Sequence, residues 1–70
     1  MFGKRELFLT FDAAEMEDIT RKLDDAKIRY EIRRHNFGKN RSQKIMYYIY
    51  VRSRDYDLAR AVMNGNAPGL

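Results

Sequence analysis

The side chains in this 70-residue chain that could carry out a reaction are few. There is no cysteine and a single histidine, His35. His35 is the only side chain whose ordinary pKa lies near neutrality. It stands beside Arg34, with no thiol or serine elbow to activate. Asp24 and Asp25 are adjacent at a predicted helix end, where they read as turn residues before they read as an acid–base pair. No metal-ligand spacing, glycine-rich phosphate loop or nucleophile motif is present. We therefore expect no enzymatic activity, no metal and no cofactor. What the chain does hold is rings and cations. Tyr47, Tyr48 and Tyr50 lie in one run, Phe8 and Phe37 lie elsewhere, and Arg29, Arg33, Arg34, Lys39, Arg41 and Lys44 crowd the middle. Such groups bind bases, phosphates or other rings.

The elements that must position them can be read from periodicity. Ile45-Met46-Tyr47-Tyr48-Ile49-Tyr50-Val51 is the longest β-prone run and is the expected central strand. Glu6 to Phe11 predicts a first strand, with Leu7, Leu9 and Phe11 toward the core and Glu6, Phe8 and Thr10 away from it. Asp12 reads as an N-cap with Glu15 three residues on. The helix it opens runs to about Ala26, with Met16, Ile19, Leu23 and Ala26 as its apolar stripe. Ile28 to Arg33 alternates as a second strand, with Arg29, Glu31 and Arg33 facing away from the core. His35 to Gln43 reads as a loop. After the central strand, Ser53 or Asp55 should cap a last helix carrying Leu58, Ala59, Ala61, Val62 and Met63. Gly65 should end that helix, and residues 66–70 should form a flexible tail.

The order β-α-β-β-α allows two sheets. If the hairpin partner slots between the first two strands, a three-stranded antiparallel sheet of order 1-3-2 results, with both helices on one face. This is an α+β two-layer sandwich, ferredoxin-like but lacking the fourth strand. The alternative leaves the third strand outside. The first arrangement is expected, because it buries the most apolar strand in the middle.

In that arrangement no element remains to cover the second sheet face. Phe8, Met46, Tyr48 and Tyr50 should lie there, among Arg29 and Arg33. Three readings are open. The face is half-wet, with arginine stems over tyrosine rings; or it pairs with a second copy or another protein; or it stacks the bases of RNA or another single-stranded nucleic acid. The basic hairpin, with Arg33, Arg34, Phe37, Lys39, Arg41 and Lys44, is a phosphate finger in the last reading and a solvated tip otherwise. It is also near enough to the first helix for Asp12, Glu15, Glu17 or Asp18 to neutralise it.

Charge sharpens the picture. The net charge is +4. Residues 27–44 hold seven basic side chains against Glu31 alone, whereas residues 1–26 hold four against seven acidic ones. A chain this short buries only about 60% of its unfolded surface. Without disulfides, it needs a well-packed core or a partner. No apolar run approaches the roughly 20 residues that span a membrane. No apolar segment follows Met1-Phe2-Gly3-Lys4-Arg5, so no signal peptide is expected. A single domain over residues 1–70, ordered from about 5 to 65, in the cytoplasm of a bacterial cell is the expectation.

Asp12-Ala13-Ala14-Glu15, then Ile19, Leu23, Ala26 and Ile28-Arg29-Tyr30, then Ile49-Tyr50-Val51, Asp55 and Leu58-Ala59-Arg60-Ala61 together resemble a known pattern. It is that of small bacterial domains of unknown function labelled prokaryotic signal-transducing proteins. The resemblance implies a β-α-β-β-α layout and a regulatory or interaction role, with no catalytic residues. The basic hairpin and the tyrosine-rich strand stand outside the pattern.

Overall fold

The computed structural model describes residues 3–38 and 44–65. Lys39 and Arg41 of the basic loop and the expected tail at 66–70 lie outside the described residues. The elements are β1 (Lys4–Thr10), α1 (Ala13–Asp25), β2 (Tyr30–Asn36), β3 (Ile45–Arg52), a short 3-10 turn (Ser53–Asp55) and α2 (Tyr56–Met63). Strand β3 pairs antiparallel with both neighbours, so the sheet order is β1-β3-β2. The expected α+β sandwich with β3 central is the one observed.

Helix α1 begins as its sequence dictates. Asp12 is extended (φ −95°, ψ 111°) and its carboxylate accepts the Ala14 N–H at 2.9 Å. Glu15 does not close a capping box; it accepts from the Thr10 hydroxyl at 2.6 Å. That hydroxyl oxygen in turn accepts the Asp12 N–H at 3.0 Å, which ties the end of β1 to the start of α1.

The other end of α1 is a Schellman turn. The Ile28 N–H reaches the Leu23 carbonyl at 2.9 Å and the Lys27 N–H reaches Asp24 at 3.0 Å. Leu23 and Ile28 are both buried, which supplies the apolar contact that goes with this turn. The turn requires a left-handed residue, and Lys27 fills that place at φ 58°. A side chain there is held at a cost of roughly 1–2 kcal/mol, partly offset by the greater freedom that glycine has in the unfolded chain. Lys27→Gly is expected to raise stability by roughly 0.5–1 kcal/mol. A denaturant midpoint unchanged or lower in Lys27→Gly would refute this.

Strand β2 starts two residues later than its alternation predicts, because the Ile28 backbone serves the Schellman turn. It also runs further. His35 and Asn36, expected in the loop, pair with Met46 and Ile45. Helix α2 is entered through the 3-10 turn, so neither Ser53 nor Asp55 caps it with a side chain, contrary to expectation. The chain is already helical at Asp55 (φ −99°, ψ −1°). The Tyr56 N–H reaches Ser53, and the Ser53 N–H reaches Gly3. Gly65 ends α2 as expected, at φ 86°, with its N–H on Val62.

The buried core is Leu7, Ile19, Leu23, Ile28, Ile49, Val51, Ala59 and Val62. Met16, Ala26, Tyr30, Tyr56 and Met63 pack against it.

One correction changes the sheet faces. Along β1, Glu6 pairs with Tyr50 and Phe8 pairs with Ile49, so Leu7 is one residue extra. This β-bulge turns both Leu7 and Phe8 toward the core. Every residue after it changes face relative to simple alternation. Phe8, expected on the uncovered face, packs against the core instead. Thr10 is buried opposite Tyr47. Leu9 and Phe11, expected in the core, are 43% and 55% exposed.

Candidate interaction surface

The uncovered face is built of cross-strand rows. Strand β3 supplies the middle residue of each row. In ladder order they are Arg52, Tyr50, Tyr48 and Met46, the set that parity had placed there. Tyr50 is flanked by Glu6 and Glu31, and Tyr48 by Leu9 and Arg33. Met46 has His35 on one side, and Phe11 follows Thr10 on the other. Arg52 is flanked by Lys4, with Arg29 just ahead of Tyr30.

The face therefore has two ends. At the hairpin end the rings gather. Phe37 lies with its centroid 4.3 Å from His35 and 6.3 Å from Phe11, edge-on in both cases. The Phe37 N–H holds the Lys44 carbonyl at 2.7 Å, and the Asn36 side chain caps the turn through the Gly38 N–H at 2.9 Å. Arg33, Arg34, His35, Phe37, Tyr48 and Tyr50 line a shallow depression of about 520 Å³. Among the described residues no carboxylate lines it. Arg34 lines it from the β2 edge, since its ladder partner Tyr47 is on the helix side.

At the opposite end the ladder gathers cations. Lys4 meets Glu31 at 2.5 Å, and the Arg33 Nε donates to the same carboxylate at 3.0 Å. These two donors, Lys4 foremost, hold the Glu31 carboxyl below its usual range, so it is ionised at neutral pH. The Arg33 guanidinium also lies 5.8 Å from the Tyr50 ring centre. At the helix layer, desolvation and then the Asp24 carboxylate, which accepts from the hydroxyl at 3.1 Å, push the Tyr30 phenol above its usual range.

Of the residues singled out from sequence, Arg29, Arg33, Phe37, Met46, Tyr48 and Tyr50 come together on or beside this face, and Arg34 reaches it at the edge. Lys44 is exposed and continues the β3 parity. Phe8 does not belong to it, and Lys39 and Arg41 lie outside the described residues. Leu9, Phe11 and His35 were missed. The only signal for the first two was the adjacent apolar pair Leu7-Phe8, both of which a bulge can turn to the buried face. The helix start does not neutralise the hairpin among the described residues. Asp18 pairs within α1, with Arg21 at 3.7 Å and Lys22 at 3.3 Å, and Glu15 is held by Thr10.

Among the described residues no cluster of three or more His, Cys, Asp or Glu is placed to hold a metal ion, and no helix is long and apolar enough to cross a membrane. Comparison with protein-family models, with curated proteins and with solved structures finds no match to this chain.

Proposed function

We propose that this chain is a non-enzymatic interaction module that works through the uncovered face of its sheet, with a single-stranded nucleic acid as the partner. The observation that carries the reading is the hairpin-end depression, which among the described residues is lined by two arginines, two tyrosines, a phenylalanine and a histidine and by no carboxylate. Stacking a base on an aromatic side chain contributes about 1–3 kcal/mol whatever the base. The arginines meet the phosphates, and the excess of basic charge over residues 27–44 draws a polyanion to this end. A regulatory role, which the sequence resemblance implies, would be exercised by occupancy of this face.

The test is anisotropy of a labelled single-stranded oligonucleotide across a salt series. With Arg33, Arg34 and Lys44 engaged, the expected slope of log K against log salt is about −2, from a factor of about −0.7 per phosphate contact on single strands. Dissociation constants weaker than about 10⁻⁴ M at low salt, below ordinary non-specific binding, would sink the reading.

A second reading is a homodimer formed through the same face. Leu9, Phe11 and Phe37, at 43%, 55% and 52% exposure, favour it, since apolar patches of this kind mark contact surfaces. Sedimentation equilibrium separates the two. A dimer that oligonucleotide does not dissociate and that Tyr48→Glu abolishes would replace the nucleic-acid reading.

A further inference from the structure

We infer that the depression at the opposite end of this face is a binding site for a phosphate monoester. The inference does not rest on base stacking at the hairpin end, although Tyr50 lines both depressions. The depression has a volume of about 730 Å³, and its lining includes Lys4, Arg29, Glu31, Tyr50, Arg52 and Arg54. That volume falls within the range of about 300–1,000 Å³ usual for small-molecule sites.

The ladder explains why this end is poised for an anion. Lys4 stands directly across from Arg52. Arg29 precedes Tyr30, whose partner is Val51, so it flanks Arg52 from the other side. Lys4 and Arg52 thus form a like-charged cross-strand pair, and Arg29, just ahead of β2, lies in the same lining. Like charges directly opposite are destabilising on a sheet. Arg54, from the 3-10 turn after β3, adds a fourth to the same lining.

The countercharge is insufficient. Among the described residues Glu31 is the only carboxylate in the lining, and Lys4 and Arg33 already hold it. Glu6 is one row away, opposite Tyr50, and exposed. Among the described residues Arg29, Arg52 and Arg54 make no ion pair. These three guanidinium groups come from the residue before β2, the end of β3 and the turn. Each fork can take two oxygens of one phosphate group. The Tyr50 ring in the wall gives the organic part of the ester an apolar surface. A bound dianion removes the repulsion among these cations as it forms its own contacts, so ligand binding and fold stability rise together.

The experiment is a titration of the amide spectrum and of the melting temperature with thymidine 5′-monophosphate, with thymidine as the control at matched ionic strength. The monophosphate is expected to shift the amides of Lys4, Arg29, Ser53 and Arg54 and to raise the melting temperature; thymidine is expected to do neither. Arg52→Gln and, separately, Arg29→Gln should each weaken the monophosphate tenfold or more while raising the melting temperature of the free protein. Tyr48→Ala should leave monophosphate affinity unchanged, which keeps this site distinct from the hairpin end. An equal response to thymidine would overturn the proposal, and so would unchanged affinity in both arginine variants or a lower melting temperature of the free variants. A 5′-phosphorylated oligothymidylate binding tenfold tighter than its 5′-hydroxyl counterpart would assign the phosphate to a strand end. Equal binding of the two, with the monophosphate still bound, would assign it to a free small ester.

Discussion

Leu23→Ala is expected to leave the chain unfolded, or nearly so, at physiological temperature. Leu23 is fully buried and belongs to a core of eight apolar side chains. Truncating a buried leucine costs about 2.7–5 kcal/mol, depending on how far the cavity collapses. Domains of this size draw only about 3–5 kcal/mol from a single core. The cost of one substitution is thus comparable to the whole stability. Leu23 also packs on Ile28 across the Schellman turn. Its loss therefore loosens the path by which α1 hands the chain to β2. Far-ultraviolet circular dichroism during heating measures the effect. Since 1 kcal/mol shifts the midpoint by about 4–8 °C in a domain this small, a fall of only a few degrees would show that the core is not organised around this residue.

Tyr48→Ala should lower oligonucleotide affinity by about tenfold or more and leave the fold intact. Tyr48 lies between Leu9 and Arg33 on the side that neither α1 nor α2 covers. Removing one stacked ring loses about 1–3 kcal/mol of binding. The matched control is its neighbour. Tyr47 pairs with the buried Thr10 and faces the helices. Tyr47→Ala should therefore lower the melting temperature, with little change in affinity below it. If Tyr47→Ala weakens binding as much as Tyr48→Ala does, the stacking surface is not on this face. The comparison uses two identical side chains at consecutive positions, so side-chain chemistry is held constant and only the face changes.

Much of the architecture was legible because several signals agreed. The seven-residue β-prone run, the Asp12 cap and the 3-4 spacing of Met16, Ile19, Leu23 and Ala26 each specify one element. The order of those elements favours β3 in the centre. The parity of β3 itself carried over to the structure, so Tyr48 and Tyr50 are where alternation puts them. The errors fall where backbone geometry departs from a simple period. Alternation cannot see the extra residue in β1, and that residue moved Phe8 inward and brought Leu9 and Phe11 out. The length of β2 was underestimated because His35 and Asn36 are poor strand formers. As residues of an edge strand opposite Met46 and Ile45, they pair through their backbones whatever their side chains prefer. The cluster of cations at Arg52 was hidden for another reason. Lys4, Arg29 and Arg52 are far apart in sequence, and only the register between strands brings them side by side.

The extra residue in β1 also bears on how such a chain diverges. Most changes to a binding surface come one substitution at a time. Here a change of length would do less. Only Lys4, Arg5 and Glu6 precede the bulge in the strand. Deleting Leu7 would close the bulge and leave Glu6 opposite Tyr50 and Phe8 opposite Ile49 as consecutive pairs, so Lys4 and Glu6 would keep their places on the uncovered face. The ion pair to Glu31 and the Lys4–Arg52 pair would survive, and the loss would fall on the core, which gives up one leucine side chain. Descendants of a common ancestor that differ by one residue at this point would then share a fold and present the same charges to their partners.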